Sequence, residues 1–98
     1  PNEYVDYAAS KGAMDTLTRG LSLEVAAQGI RVHSVRPGLI YTDMHADAGE
    51  PGRVDRLAAS LPMQRGGQAE EIAAAIVWLA SDAASYVTGS FIDASGGR

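Results

Sequence analysis

No cysteine occurs among the 98 residues, which excludes a disulfide framework and any thiolate metal site. The two histidines, His33 and His45, share no helical ligand spacing, so they do not form an imidazole pair on one helix face. Positive charge is also short: eight Lys and Arg stand against twelve Asp and Glu, for a net charge of −4. The clustered basic residues that track nucleic-acid phosphates are missing, and no nucleic-acid partner is expected. No apolar run approaches the ~18 residues that suggest a membrane span, and no basic-then-apolar leader opens the chain. We therefore expect no membrane partner and take a soluble, cytoplasmic protein as the default. The length allows at most one small domain.

Lysine is the scarcest charge of all. Lys11 is the single one, and it closes the stretch Tyr7-Ala8-Ala9-Ser10-Lys11 inside a predicted helix over residues 6–27. Positions i and i+4 share a helix face with Cβ atoms about 5–6 Å apart, so the ammonium can lie beside the phenol. A free tyrosine has a pKa of about 10, and bringing one near 7 takes roughly 4 kcal/mol of preference for the phenolate. One ammonium at that distance supplies roughly 3 kcal/mol at an effective dielectric near 20. A second positive charge, such as an oxidised nicotinamide ring, would have to make up the rest. The plain alternative is a tyrosine packed on a core with a lysine pointing to water, and the pair alone does not choose between them.

The predicted helix carries Val5, Ala9, Ala13, Leu17 and Leu21 at four-residue intervals, with Met14 and Val25 beside them, which reads as its apolar face. Gly12 and Gly20 weaken a helix interior, by about 1 kcal/mol each, so a close neighbour is one reason for them and simple tolerance is another. Gly29 is the expected left-handed cap. Residues 30–35, Ile-Arg-Val-His-Ser-Val, then read as a strand running into Pro37-Gly38. A helix entering a strand through one glycine is an α/β unit, and such units build parallel sheets whose ligands bind at the carboxyl ends of the strands. Here that end is residues 37–44. Pro37 and Gly38 would turn the chain and let a flat ring approach the backbone, and Thr42 offers a hydroxyl just beyond. The alternative is a plain turn.

Residues 43–65, punctuated by Gly49, Pro51, Gly52 and Pro62, suit a mobile lid over that end. Arg53, Arg56 and Arg65 read as a solvated basic face, with an anionic substrate as the less economical alternative. A second helix is predicted over residues 68–81, with Glu70 and Glu71 at its positive end and a stripe of Ile72, Ile76, Leu79 and Ala80. Trp78 lies off that stripe, as a packing residue or subunit contact. A last strand is predicted near residues 90–94 before Gly96-Gly97. The order is helix, strand, lid, helix, strand. Two parallel strands have edges that need partners, so neighbouring strands are expected elsewhere. With a start at Pro1 rather than Met, the chain reads as the end of a longer polypeptide.

Several stretches together resemble the C-terminal portion of a short-chain dehydrogenase/reductase. They are the Tyr7 to Lys11 motif; Gly29-Ile30-Arg31-Val32-His33-Ser34-Val35-Arg36-Pro37-Gly38; Ile40-Tyr41-Thr42-Asp43-Met44; Arg65 through Glu71; Leu79-Ala80-Ser81-Asp82; and Ser85-Tyr86-Val87-Thr88-Gly89 followed by Gly96-Gly97. They cover nearly the whole chain in the family's order, closest in texture to bacterial glucose-dehydrogenase-like or 3-oxoacyl-carrier-protein-reductase-like members.

The resemblance implies the C-terminal part of one Rossmann-type domain, a doubly wound parallel α/β sheet whose dinucleotide-binding half is absent from residues 1–98. It implies hydride transfer between NAD or NADP and a small-molecule carbonyl/alcohol substrate. Tyr7 would be the general acid–base. Lys11 would activate it and hold the nicotinamide ribose. Pro37 and Gly38 would flank the nicotinamide, Ile40 would meet its carboxamide through the backbone, and Thr42 would offer its hydroxyl. A homodimer or homotetramer through the long first helix is implied as well, which would give Gly12 and Gly20 their neighbour.

Three positions depart from the family's habit: His33 for Asn, Ser95 for Asp and Ala69 for Pro. No glycine-rich phosphate loop, ribose-reading acid or carbonyl-polarising serine occurs here, and Ser10 is not that serine. The chain alone is therefore expected to be inactive. A non-catalytic assembly piece and a cofactor-sensing protein of the same fold remain as alternatives.

Overall fold

A computed structural model describes residues 2–42 and 52–98. They fall into two compact units, Pro1–Ser34 with Tyr86–Phe91, and Val35–Ser85 with Ile92–Arg98.

The first unit is built on helix α1 (Asn2–Val25), which starts four residues before the expected position. A single 3-10 turn, Ala26–Gln28, follows it, and Gly29 closes the turn at φ 77°, the left-handed conformation that only glycine adopts freely. The face α1 turns inward differs from expectation. Val5, Ala9, Ala13, Leu17 and Leu21 are all exposed, whereas Thr18 and Ser22 are buried to 6% and 4% exposure. Both hydroxyls donate back to carbonyls of their own helix, Thr18 to Met14 and Ser22 to Arg19, each at 2.8 Å, so their burial leaves no polar group orphaned. A small residue at Ser22 also lets the backbone of Gly89 come close: a Cβ on Gly89 would sit 2.8 Å from the Ser22 hydroxyl. Gly12 and Gly20 have nothing within 4 Å of the place a Cβ would take, so no neighbour within the described residues requires them.

Residues 30–33 run extended beside 88–90 without forming the expected strand. Val32 donates its N–H to the Thr88 hydroxyl at 3.1 Å, and Gly89 donates to the Val32 carbonyl at 2.8 Å. Regular pairing begins later, with strand β1 (Ser34–Pro37) against β4 (Phe91–Ala94). Ser34 donates to Ser90 and Gly38 to Ala94, each at 3.0 Å; both partners advance by four residues, the step of a parallel pair. The strand begins four residues later than its β-branched run and ends two later, because ladder bonds, not side-chain type, define it.

In the second unit, Arg36 of β1 and Asp93 of β4 form an ion pair at 2.7 Å. A parallel pair that the sequence did not suggest joins β2 (Ile40–Tyr41) to β3 (Gly67–Gln68), with Ile40 opposite Gly67 and Tyr41 opposite Gln68. Beneath it lies a cluster of Leu39, Val54 and Leu61, flanked by Tyr41 and Leu57. Val54 and Leu57 come from a short helix α2 (Arg53–Ala58). The described part of the expected lid, residues 52–65, thus supplies two of the three buried side chains of this cluster, and a movement of that part would expose them. The first part of the lid, residues 43–51, lies outside the described residues and includes His45.

Helix α3 (Ala69–Ala80) begins on a capping box in which the Gln68 side chain accepts from the N3 backbone and Glu71 accepts from the Gln68 N–H at 3.0 Å. Arg65 donates to both Glu71 oxygens, at 2.8 and 3.0 Å. Arg65 is therefore committed to a structural carboxylate. On the expected stripe Leu79 is buried, but Ile76 is exposed, as is Trp78 beside it. No described helix is long and apolar enough to cross a membrane.

The Arg65 guanidinium, with the Gln68 N–H second, lowers the Glu71 pKa from an ordinary 4.5 to about 2. The stabilisation this gives is full above the unfolded value and is lost as pH falls from 4.5 through about 2, because only the unfolded chain binds the proton early. Urea midpoints measured across that range should fall more steeply for the native sequence than for Glu71→Gln. Parallel slopes for the two would show that the pair contributes nothing.

Candidate active site

Tyr7 and Lys11 lie on the first two-thirds of α1 in the first unit, one turn apart. The Lys11 ammonium stands 5.5 Å from the centroid of the Tyr7 ring, within the ~6 Å over which an aromatic face attracts a cation. Both side chains are exposed, Tyr7 to 59%. The alternative of a tyrosine packed on a core does not hold within the described residues. The phenol is accessible to a reacting group, and the flexible ammonium beside it can donate hydrogen bonds of its own. That donor set, one phenol and one ammonium on an accessible face, fits the hydroxyls of a ribose and the oxygen of a carbonyl.

Pro37 ends β1, Gly38 lies in the turn after it, Ile40 opens β2 and Thr42 follows that strand, all in the second unit. Thr42 is exposed. The backbone itself already gives one reason for glycine at position 38: a Cβ there would meet the backbone of Ser95, 2.8 Å from its Cα and 3.0 Å from its carbonyl oxygen. The open side of Gly38 is filled by the chain leaving β4, and backbone cannot yield as a side chain can. This close approach ties the Pro37-Gly38 turn to the end of the neighbouring strand.

A cavity of roughly 350 Å³ opens in the same unit, lined among others by Ile40, Met63, Arg65, Glu71, Asp93 and Ser95. Residues that follow β1 and residues that follow β4 both contribute to it, so it lies at the carboxyl ends of these parallel strands, where α/β folds place ligands. Its two described cationic and anionic partners, Arg65 and Glu71, neutralise each other, and Asp93 is held by Arg36.

Two residues at this end carry a contact that the sequence did not signal. The Tyr41 hydroxyl donates to the Asp55 carboxylate at 2.9 Å. That hydrogen bond, before burial and the Asp55 charge, raises the Tyr41 pKa above 10.0, since ionising the phenol would place two anions together. Fourteen residues separate the partners, and no local pattern joins them.

His33, one of the three departures from the family's habit, is hydrogen-bonded through one ring nitrogen. Its Nε2 accepts from Arg31 at 3.2 Å, while its Nδ1 is buried with no partner among the described residues. Burial, and then the Arg31 charge, lower its pKa below 6.5. Among the described residues no group of three His, Cys, Asp or Glu side chains is placed to hold a metal ion.

A family model described as enoyl-(acyl carrier protein) reductase matches residues 1–98. The chain is 79% identical over 98 residues to the uncharacterized oxidoreductase YgfF of Escherichia coli K12, covering 100% of this chain and 40% of that protein. It is 45% identical over 92 residues to the 3-oxoacyl-[acyl-carrier-protein] reductase FabG of Pseudomonas aeruginosa, covering 94% of this chain and 37% of FabG. Among solved structures, YwfH, an NADPH-dependent reductase involved in bacilysin biosynthesis, superimposes with a TM-score of 0.78 at 35% identity, over 88% of this chain and 36% of YwfH. The chain thus spans two-fifths or less of the length of these proteins.

Proposed function

Because the chain belongs to the short-chain dehydrogenase/reductase family of oxidoreductases, with a partial Rossmann-type α/β fold, we propose that it is the acid–base portion of a longer NAD(P)-dependent enzyme acting on a carbonyl/alcohol pair. The observation that carries this reading is the Tyr7 and Lys11 pair, exposed on one face of α1 with the ammonium 5.5 Å from the ring. When bound, the nicotinamide cofactor supplies or accepts the hydride. Tyr7 gives its phenolic proton to the carbonyl oxygen during reduction and takes the hydroxyl proton during oxidation. Lys11 stabilises the phenolate left behind and holds the ribose hydroxyls. Pro37 and Gly38 flank the nicotinamide, Ile40 meets the carboxamide through its backbone, and Thr42 donates its hydroxyl. The similarity to an NADPH-dependent reductase supports a nicotinamide cofactor and leaves both NAD and NADP in the proposal.

The polarising serine and the phosphate-binding loop belong, in this reading, to the part of the enzyme outside residues 1–98. The exposed apolar stripe of α1, with Val5, Met14 and Leu17 open, supports association of copies through that helix as a homodimer or homotetramer, and the open space at Gly12 and Gly20 leaves room for it. A cytoplasmic setting belongs to the same reading.

The test compares the isolated chain with the full-length protein. Full-length protein should oxidise NADH or NADPH in the presence of a panel of carbonyl substrates. Cofactor fluorescence titrated against the isolated chain should show no saturable binding. Micromolar affinity in the isolated chain would overturn the division of labour, and a full-length protein inert with both cofactors across the panel would count against the activity.

A further inference from the structure

Ile40 and Thr42 hold two of the proposed cofactor contacts, with Tyr41 between them, and the secondary structure of this segment is slight. Strand β2 has only two residues, Ile40 and Tyr41, paired with Gly67 and Gln68, and one ladder bond from the Gly67 N–H to the Leu39 carbonyl, 2.9 Å long, precedes them. Successive side chains of a strand point to opposite faces. Ile40 accordingly lines the cavity while Tyr41 packs on the opposite side against Leu39, Val54 and Leu61.

A flat ring on an apolar cluster is held against lifting but can slide or turn in its plane. The Tyr41 hydroxyl removes that freedom by donating to Asp55 at 2.9 Å. A phenol donating to a carboxylate is among the stronger protein hydrogen bonds. Asp55 is a firm anchor because the residue beside it on α2, Val54, is 2% exposed at the centre of the cluster.

We propose that Tyr41 and Asp55 form a positioning pair that fixes residues 40–42, and with them the backbone of Ile40 and the hydroxyl of Thr42, for cofactor binding. The pair includes neither residue of the proposed acid–base motif, so it acts on cofactor affinity and leaves the chemical step alone. This inference rests on the reading of residues 40–42 as a cofactor contact.

The test reads cofactor affinity in the full-length protein by fluorescence, without substrate, so that a failure of the acid–base assignment leaves it readable. Tyr41→Phe keeps the ring and its packing and loses only the hydroxyl. Its Kd for the nicotinamide cofactor should rise about fivefold, as should that of Asp55→Ala, and the double variant should be no weaker than either single one. Asp55→Asn keeps an acceptor oxygen and should remain within about twofold of the native Kd, with kcat at saturating cofactor within about twofold throughout. An unchanged Kd in Tyr41→Phe, an additive double variant, or a kcat that falls in step with affinity would overturn the proposal.

Discussion

Replacing Tyr7 by Phe in the full-length protein is expected to lower kcat by about 10²–10⁴-fold, the range that general acid–base groups contribute, with cofactor affinity held within about threefold. The structure makes this a clean substitution. Tyr7 is 59% exposed, so stability should change little. The ring that faces the Lys11 ammonium at 5.5 Å is kept, and an exposed contact of this kind is worth about 0.5–1 kcal/mol. What disappears is the phenolic proton beside the Lys11 ammonium. A kcat close to native in the variant would remove Tyr7 from the mechanism, and a loss of cofactor affinity as large as the loss of kcat would assign it to binding.

The largest effect on stability is expected at Gly66. A methyl group there would collide with Cγ1 of Val54, lie 2.9 Å from Cε2 of Tyr41 and sit 3.2 Å from the Leu39 carbonyl. None of these can move cheaply. Val54 is β-branched with one preferred rotamer and is 2% exposed, and the Tyr41 ring is pinned by its hydroxyl. Overpacking of this kind costs about 1–3 kcal/mol. Gly66→Ala should therefore lower the urea midpoint of the full-length protein markedly. Val54→Ala removes the colliding methyl, so the double variant should lose less than the sum of the two single ones, with a coupling of about 0.5–3 kcal/mol. Strict additivity would mean that the clash is relieved elsewhere.

Both expectations turn on what a neighbouring side chain occupies, and the sequence shows this unevenly. A four-residue interval on a helix fixes that Tyr7 and Lys11 share a face, because helix geometry is local. The glycine at position 29 and the acids of the first turn of α3 are legible for the same reason. The order of helices and strands was also readable, since apolar periodicity and turn residues record it. Strand β1 starts four residues after the start of the Ile30 to Val35 run and ends two after its end, because that run records β-propensity while the ladder depends on where β4 arrives. The pair β2 and β3 was invisible, since neither Ile-Tyr nor Gly-Gln makes a pattern.

By itself, then, the sequence determined that Tyr7 and Lys11 share one helix face, the α/β order and the family, all set by local spacing or by ordered short motifs. Tertiary structure alone decided which face of α1 is buried, since Thr18 and Ser22 satisfy their own hydroxyls while the apolar stripe stays open. It also decided that Gly38 yields to Ser95, that Arg65 serves Glu71 and that Tyr41 is held by Asp55. Each of these joins residues on different elements, or depends on how closely two backbones approach. Such contacts leave no trace in residue type at either end, because many pairs of residues have the right chemistry and only the fold brings one of them within reach.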